Sequence, residues 1–202
     1  MTILTEKFEP VIIDDCLDSA HILSAYRTMA MAPHVLNTKS GKRDLVQPDP
    51  EFGYISYNKN PDAFVRDRIM DLVASKTDIP FNVPDFHFAK YAKSSGYRPQ
   101  LYPHYDVHLK KPHLTLSIQI ESSFPWTMFV DGKSYTLKDN QGLLFSGTHQ
   151  IHWRKNTEFG EYDYSDVLLS QFSVSYDEEL SEDHFKHMEE KKSAYWGKWE
   201  NN

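Results

Sequence analysis

The chain has 202 residues, 40% hydrophobic and 14% aromatic, with 22 Lys and Arg against 29 Asp and Glu for a formal net charge of −7. This is a globular composition, long enough to bury a sizeable core in one domain, and without a basic block it disfavours nucleic-acid binding through phosphates. The one cysteine, Cys16, excludes an intrachain disulfide and any cysteine-based zinc site.

The N-terminus lacks a basic start followed by an apolar run, and no apolar stretch approaches the roughly 18 residues that span a bilayer. A cytoplasmic protein with no membrane attachment is expected.

In chain order, residues 8–13 read as a short strand. A helix capped at Asp15 or Asp18 follows, with Ile22, Leu23, Tyr26 and Met29 at helical spacing. Residues 32–53 hold three prolines and two glycines and read as a long loop. The next helix is predicted with Asn60 as cap and Pro61 at its first position, its apolar face formed by Val65, Ile69, Leu72 and Val73.

From residue 84 the periodicity becomes two. "DFHFAKYA" alternates, and "HLTLSIQIE" sets Leu114, Leu116, Ile118 and Ile120 on one face against Thr115, Ser117 and Gln119 on the other. "WTMFVDGKSYTL" reads as a hairpin, because Asp131-Gly132 suits a turn with positive φ. "GLLFSG", "QIHWR" and "DVLLSQFSVSY" supply further strands, and about seven or eight short strands point to a sandwich or double-sheet barrel. The acidic tail reads as an outer helix.

The chemistry concentrates in "PHYDVH", residues 103–108. His104 and Asp106 are two apart, so on a strand they share a face at about 7 Å and can converge on one ion. A third ligand is sought among His108, His113, His149 and His152. His149 and His152 differ by three, so only one of them enters a pocket, and Arg154 shares the face of His152. Two His and one carboxylate fill one triangular face of an octahedron, leaving three positions, as in non-haem Fe(II) oxygenases. Such a ligand set also takes Zn²⁺ or Mn²⁺. An adjacent arginine offers a planar fork for a carboxylate.

Residues 84–176 resemble the Fe(II)- and 2-oxoglutarate-dependent oxygenases, in particular small prolyl-hydroxylase-like members from bacteria and phages. "FHFAKYAKSSGYRPQLYPHYD", "HLTLSIQIE", "DNQGLLFSGTHQIHWR" and "DVLLSQFSVSY" carry the resemblance. It implies a mainly β protein with flanking helices, built on a double-stranded β-helix (a cupin-like jelly roll). It implies His104, Asp106 and His152 as iron ligands, and Tyr91 as a hydrogen-bonding partner of the 2-oxoglutarate carboxylate.

Many members carry the clamping Arg or Lys about ten residues after the last ligand; "FGEYDYSDV" has neither, and Arg154 is the nearest substitute, ahead of Arg98 and Lys90. Related halogenases lack the carboxylate that Asp106 supplies, so hydroxylation is the expected outcome.

The expected organisation is a single domain over 1–202, with a mixed helical part at 1–80, the jelly-roll core at about 84–176 and a C-terminal helix at about 178–196. The expected co-substrates are 2-oxoglutarate and O₂, acting on a small-molecule or peptidyl substrate. A cupin-like metalloenzyme that does not use 2-oxoglutarate, or a non-catalytic β-sandwich binding module, are the alternatives. Neither the substrate nor the oligomeric state is written in the sequence.

Overall fold

The computed structural model describes residues 4–31, 46–49, 52–57, 61–93, 98–106, 111–174 and 179–200. The candidate ligand His108 lies outside them. The described strands are β1 (Val11–Ile13), β2 (Val46–Asp49), β3 (Tyr54–Tyr57), β4 (Asp85–Ala92), β5 (His113–Ser122), β6 (Met128–Val130), β7 (Lys133–Tyr135), β8 (Gln141–Ser146), β9 (His152–Arg154) and β10 (Tyr164–Ser173). The helices are α1 (Ser19–Ala30), α2 (Ala63–Ala74) and α3 (Glu182–Glu200). A seven-stranded sheet runs β1-β8-β5-β10-β4-β3-β2, and a three-stranded sheet runs β7-β6-β9. Together they form the jelly roll that the family resemblance implies, a double-sheet architecture as the alternating strands suggest.

Helix α1 is capped by Asp18, whose carboxylate accepts from the His21 backbone N–H at 2.9 Å; this satisfies one of the orphan donors of the first turn. Its buried face holds Ala25 and Met29, while Leu23 is exposed, so the apolar stripe is narrower than the sequence spacing suggests. Helix α2 buries the expected Val65, Ile69, Leu72 and Val73. Its cap is Asp62, which accepts from Val65 N–H, so Pro61 precedes the helix instead of opening it; Asn60 is outside the described residues.

Both helices cover one face of the large sheet. There Ile69 and Val73 pack with Leu114, Leu116, Ile118, Leu168 and Phe172. The opposite face of the same strands turns inward between the sheets. Thr115, Ser117 and Gln119 therefore are as buried as the leucines beside them, each at most 3% exposed.

The loop reading of residues 32–53 is corrected at its end, where β2 pairs with β3 and β3 with β4. Pro48 lies in β2, which is an edge strand with one described neighbour, the place where a residue without an N–H is tolerated. The hairpin β6–β7 turns at Asp131 (φ 50°) and Gly132 (φ 82°) as the sequence predicts. Helix α3 packs against the outer side of the small sheet through Met188 and Trp199, which meet Tyr105, Ile151 and Trp153.

Candidate metal centre

His104 lies in a single-residue bridge opposite His152, the first residue of β9. It is therefore not part of a regular strand, and Asp106 follows in irregular chain. The two-residue parity survives in part: His104 and Asp106 turn into the cavity, while Tyr105 touches the cavity but packs against α3. On β9 the same alternation turns His152 and Arg154 inward and stacks Trp153 on Phe129.

One ligand atom from each of His104, Asp106 and His152 lies within 4.8 Å of the others. His104 Nδ1 is 2.8 Å from the Tyr102 carbonyl oxygen and His152 Nδ1 is 3.0 Å from that of Gln150. A carbonyl only accepts, so each Nδ1 carries the proton and each Nε2 keeps a lone pair. This is the tautomer of a metal-binding histidine whose outer nitrogen is held by the backbone.

Burial, then the neighbouring His152, drive His104 down to about 3 against the opposing pull of Asp106, so the ring is neutral at pH 7. Burial alone would raise the Asp106 carboxyl. The imidazoles of His152, His113 and His104 outweigh it and hold the group well below the usual carboxylate range. The site thus gathers one carboxylate and two imidazole lone pairs, a donor set that a divalent cation would complete.

These groups line a cavity of about 420 Å³ between the two sheets. Arg154 lines it too, with 2% of its surface exposed. Its Nη1 donates to the Trp126 carbonyl at 3.0 Å and lies 3.4 Å from Gln119 Oε1, and the guanidinium sits 4.9 Å from the Trp126 ring. Its Nη2 is buried with no hydrogen-bond partner among the described residues. Among the described residues no carboxylate pairs with it. Burial lowers Arg154 to about 10, which leaves it charged at neutral pH. A buried, uncompensated cation costs on the order of several kcal/mol, so an anion entering the cavity relieves a standing penalty. Tyr91 is buried nearby, its ring edge-on to Trp126 at 4.9 Å and to Tyr54 at 5.1 Å.

The other candidates lie elsewhere. His149 sits in a buried polar cluster, its Nδ1 within 3.2 Å of hydroxyls on Thr5, Ser146 and Thr148. Lys90 pairs with Asp166, and the exposed Arg98 donates to Asn156. Tyr54 and Tyr102 line the cavity, whereas Tyr57 packs on the helix-side core. His113 enters as a neighbour of the ligand set: its Nε2 is 3.2 Å from Asp106 Oδ2.

Several lining residues were missed in the sequence. Ser117 and Gln171 come from adjacent strands of the large sheet, and Glu189 and Lys192 come from α3. Tyr105 Oη donates to Glu189 at 2.9 Å, and Lys192 pairs with the same carboxylate. The inward face of β5 carried the one available signal, a polar alternation on a strand otherwise as apolar as any in the chain.

No protein-family model and no curated protein matches the chain by sequence. Solved structures do match. The collagen prolyl hydroxylase of Paramecium bursaria Chlorella virus-1, solved with 2-oxoglutarate, is 12% identical, with 86% of this chain and 99% of that one covered at a TM-score of 0.57. HygX from Streptomyces hygroscopicus, with nickel and 2-oxoglutarate bound, is 13% identical over 85% of each chain at 0.56. SnoN, a non-haem α-ketoglutarate-dependent epimerase from nogalamycin biosynthesis, is 10% identical, with 82% of this chain and 76% of that one covered at 0.59. The protein has the double-stranded β-helix fold of the 2-oxoglutarate-dependent oxygenases.

Proposed function

We propose that the protein is an Fe(II)- and 2-oxoglutarate-dependent dioxygenase that hydroxylates a C–H bond of an amino-acid, peptidyl or small-metabolite substrate. The observation that carries this reading is the pairing, in one cavity, of the His104–Asp106–His152 cluster with an Arg154 guanidinium that has no counter-charge among the described residues. Structures of this fold hold 2-oxoglutarate and a metal together, as in HygX.

His104, Asp106 and His152 would hold the metal, which supplies the activation of O₂ when bound. Arg154 would grip the distal carboxylate of 2-oxoglutarate through Nη2, with Tyr91 beside it. Tyr54, Tyr102 and Glu189, which also line the cavity, would be available to a substrate. The balanced reaction consumes 2-oxoglutarate, O₂ and R–H, and yields succinate, CO₂ and R–OH. The intact carboxylate at Asp106 supports hydroxylation over halogenation, because it occupies the position a halide would need.

Anaerobic titration with Fe(II) and then 2-oxoglutarate tests the reading. The expected result is metal binding, a weak visible charge-transfer band on adding the keto acid, and succinate release on admitting O₂ with substrate. Metal binding without 2-oxoglutarate binding would instead indicate a cupin-like metalloenzyme, and no metal binding a non-catalytic β-sandwich module.

A further inference from the structure

Asp106 lies outside regular strand structure, so its carboxylate is not aimed by a ladder of backbone hydrogen bonds. Two hydrogen bonds aim it instead, with His113 packed beside them. Its own N–H donates to the Gly147 carbonyl at 2.8 Å. Thr115 Oγ1 donates to Oδ2 at 2.7 Å. His113 Nε2 approaches the same Oδ2 at 3.2 Å. The other oxygen, Oδ1, faces His152 Nε2 at 3.7 Å.

We propose that Thr115, seated on Gly147, is a positioning residue that fixes Asp106 as a ligand through one oxygen only. The inference rests on the metal-centre reading above. Its chemical consequence is a coordination count. Two imidazoles and one carboxylate oxygen leave three octahedral positions, enough for a chelating keto acid and O₂. A carboxylate turned to bind through both oxygens would leave two. Holding Oδ2 inside the protein preserves the third.

The supports are rigid or tightly confined. Thr115 lies on β5, which is hydrogen-bonded on both sides, to β8 and to β10. His113 is fully buried, its Nδ1 3.2 Å from the Lys111 carbonyl. At Gly147 an added Cβ would lie 2.2 Å from Asp106 Oδ2 and 2.4 Å from Thr115 Oγ1. Both contacts are far inside van der Waals distance, so only glycine lets the three side chains meet there.

The test uses Co(II), a redox-stable probe, added anaerobically to the full-length metal-free protein, with affinity and the visible ligand-field spectrum as readouts. Thr115→Val, nearly isosteric but without the donor, is expected to weaken Co(II) binding by roughly 10- to 100-fold and to change the spectrum. Thr115→Ser is expected to restore both. Should Thr115→Val not fold, Thr115→Ala carries the same expectation. Wild-type affinity and spectrum in the Val or Ala variant would overturn the positioning role while leaving the metal centre intact, as would equal weakening in the Ser variant. A wild-type protein that binds no Co(II) would overturn both readings.

Discussion

His104 and His152, 48 positions apart, face each other across one antiparallel bridge. Each backbone N–H donates to the other's carbonyl, at 3.1 and 2.9 Å, and the ring centroids are 4.1 Å apart. Directly opposed residues project on the same side, so the bridge delivers both imidazoles to one point as a unit. His104→Ala and His152→Ala are each expected to abolish Fe(II) binding and succinate release. The double variant should be no worse than either single, since residues that act together are not additive. His149→Ala should keep metal affinity near wild type, because its ring sits in the Thr5–Ser146–Thr148 cluster. Equilibrium dialysis against Fe(II) under anaerobic conditions separates the three.

Arg154 has no carboxylate to answer it among the described residues, so its contribution should appear only when the keto acid binds. Arg154→Met removes the clamp and also the buried charge. Loss of hydrogen bonds to a charged group costs about 1.5–3 kcal/mol, roughly 10- to 100-fold in affinity. The expected result is weaker 2-oxoglutarate binding by that factor with Fe(II) affinity unchanged. Thermal stability should hold or rise, because an uncompensated buried cation is removed. Calorimetric titration of the keto acid into metal-loaded protein measures the first, and a thermal melt of the metal-free protein the second.

The contrast between Arg154 and Thr115 shows how much was legible in the sequence. Arg154 was reachable by counting, because a residue two beyond His152 shares its face whether the strand is long or short. The same parity paired His104 with Asp106, although neither stands in a regular strand. Thr115 and Ser117 were visible as an alternating polar face, but their burial depends on a second sheet closing over them, which is a tertiary fact. Glu189 and Lys192 carried no local signal, since only the docking of α3 brings them to the cavity. Strands β2 and β3 were hidden among prolines and glycines, because their pairing is fixed by β4 and not by their own propensities. Leu23 shows the reverse error: helical spacing placed it inward, yet α1 has one neighbour helix and one sheet, too few to cover that side.

His149 gives a stability prediction independent of metal. Burial, and then the adjacent His184, lower it from 6.5 to about 4. The folded protein therefore keeps this ring neutral while the unfolded chain takes up a proton below pH 6.5. Stability from this group is full above pH 6.5 and is lost as pH falls toward 4, with a slope of at most about 1.4 kcal/mol per pH unit. Urea denaturation of the metal-free protein at pH 7.5, 6.0 and 5.0 should show the decline. His149→Gln, which cannot be protonated, should make the decline shallower without abolishing it, because the buried His104 is also held neutral down to about 3; an unchanged slope in that variant would assign the acid sensitivity elsewhere.

Helix α3 braces the site from outside. Trp199 Nε1 donates to the Arg154 carbonyl at 3.1 Å, Tyr105 Oη donates to Glu189, and Lys191 pairs with Asp131 at the β6–β7 turn. Tyr105 and Trp153, the chain neighbours of the ligands, pack against Met188 and Trp199, so α3 supports the segments that carry the ligands. Trp199→Phe keeps most of the buried ring and removes the N–H, leaving the Arg154 carbonyl without that donor. An unsatisfied buried acceptor costs about 1–3 kcal/mol, so a lower melting temperature is expected. Because the lost bond is made to Arg154 itself, the guanidinium should also be held less firmly. The apparent KM for 2-oxoglutarate is therefore expected to rise, with Fe(II) affinity little changed. A variant that melts earlier but keeps its wild-type KM would show that α3 stabilises the small sheet without setting the clamp.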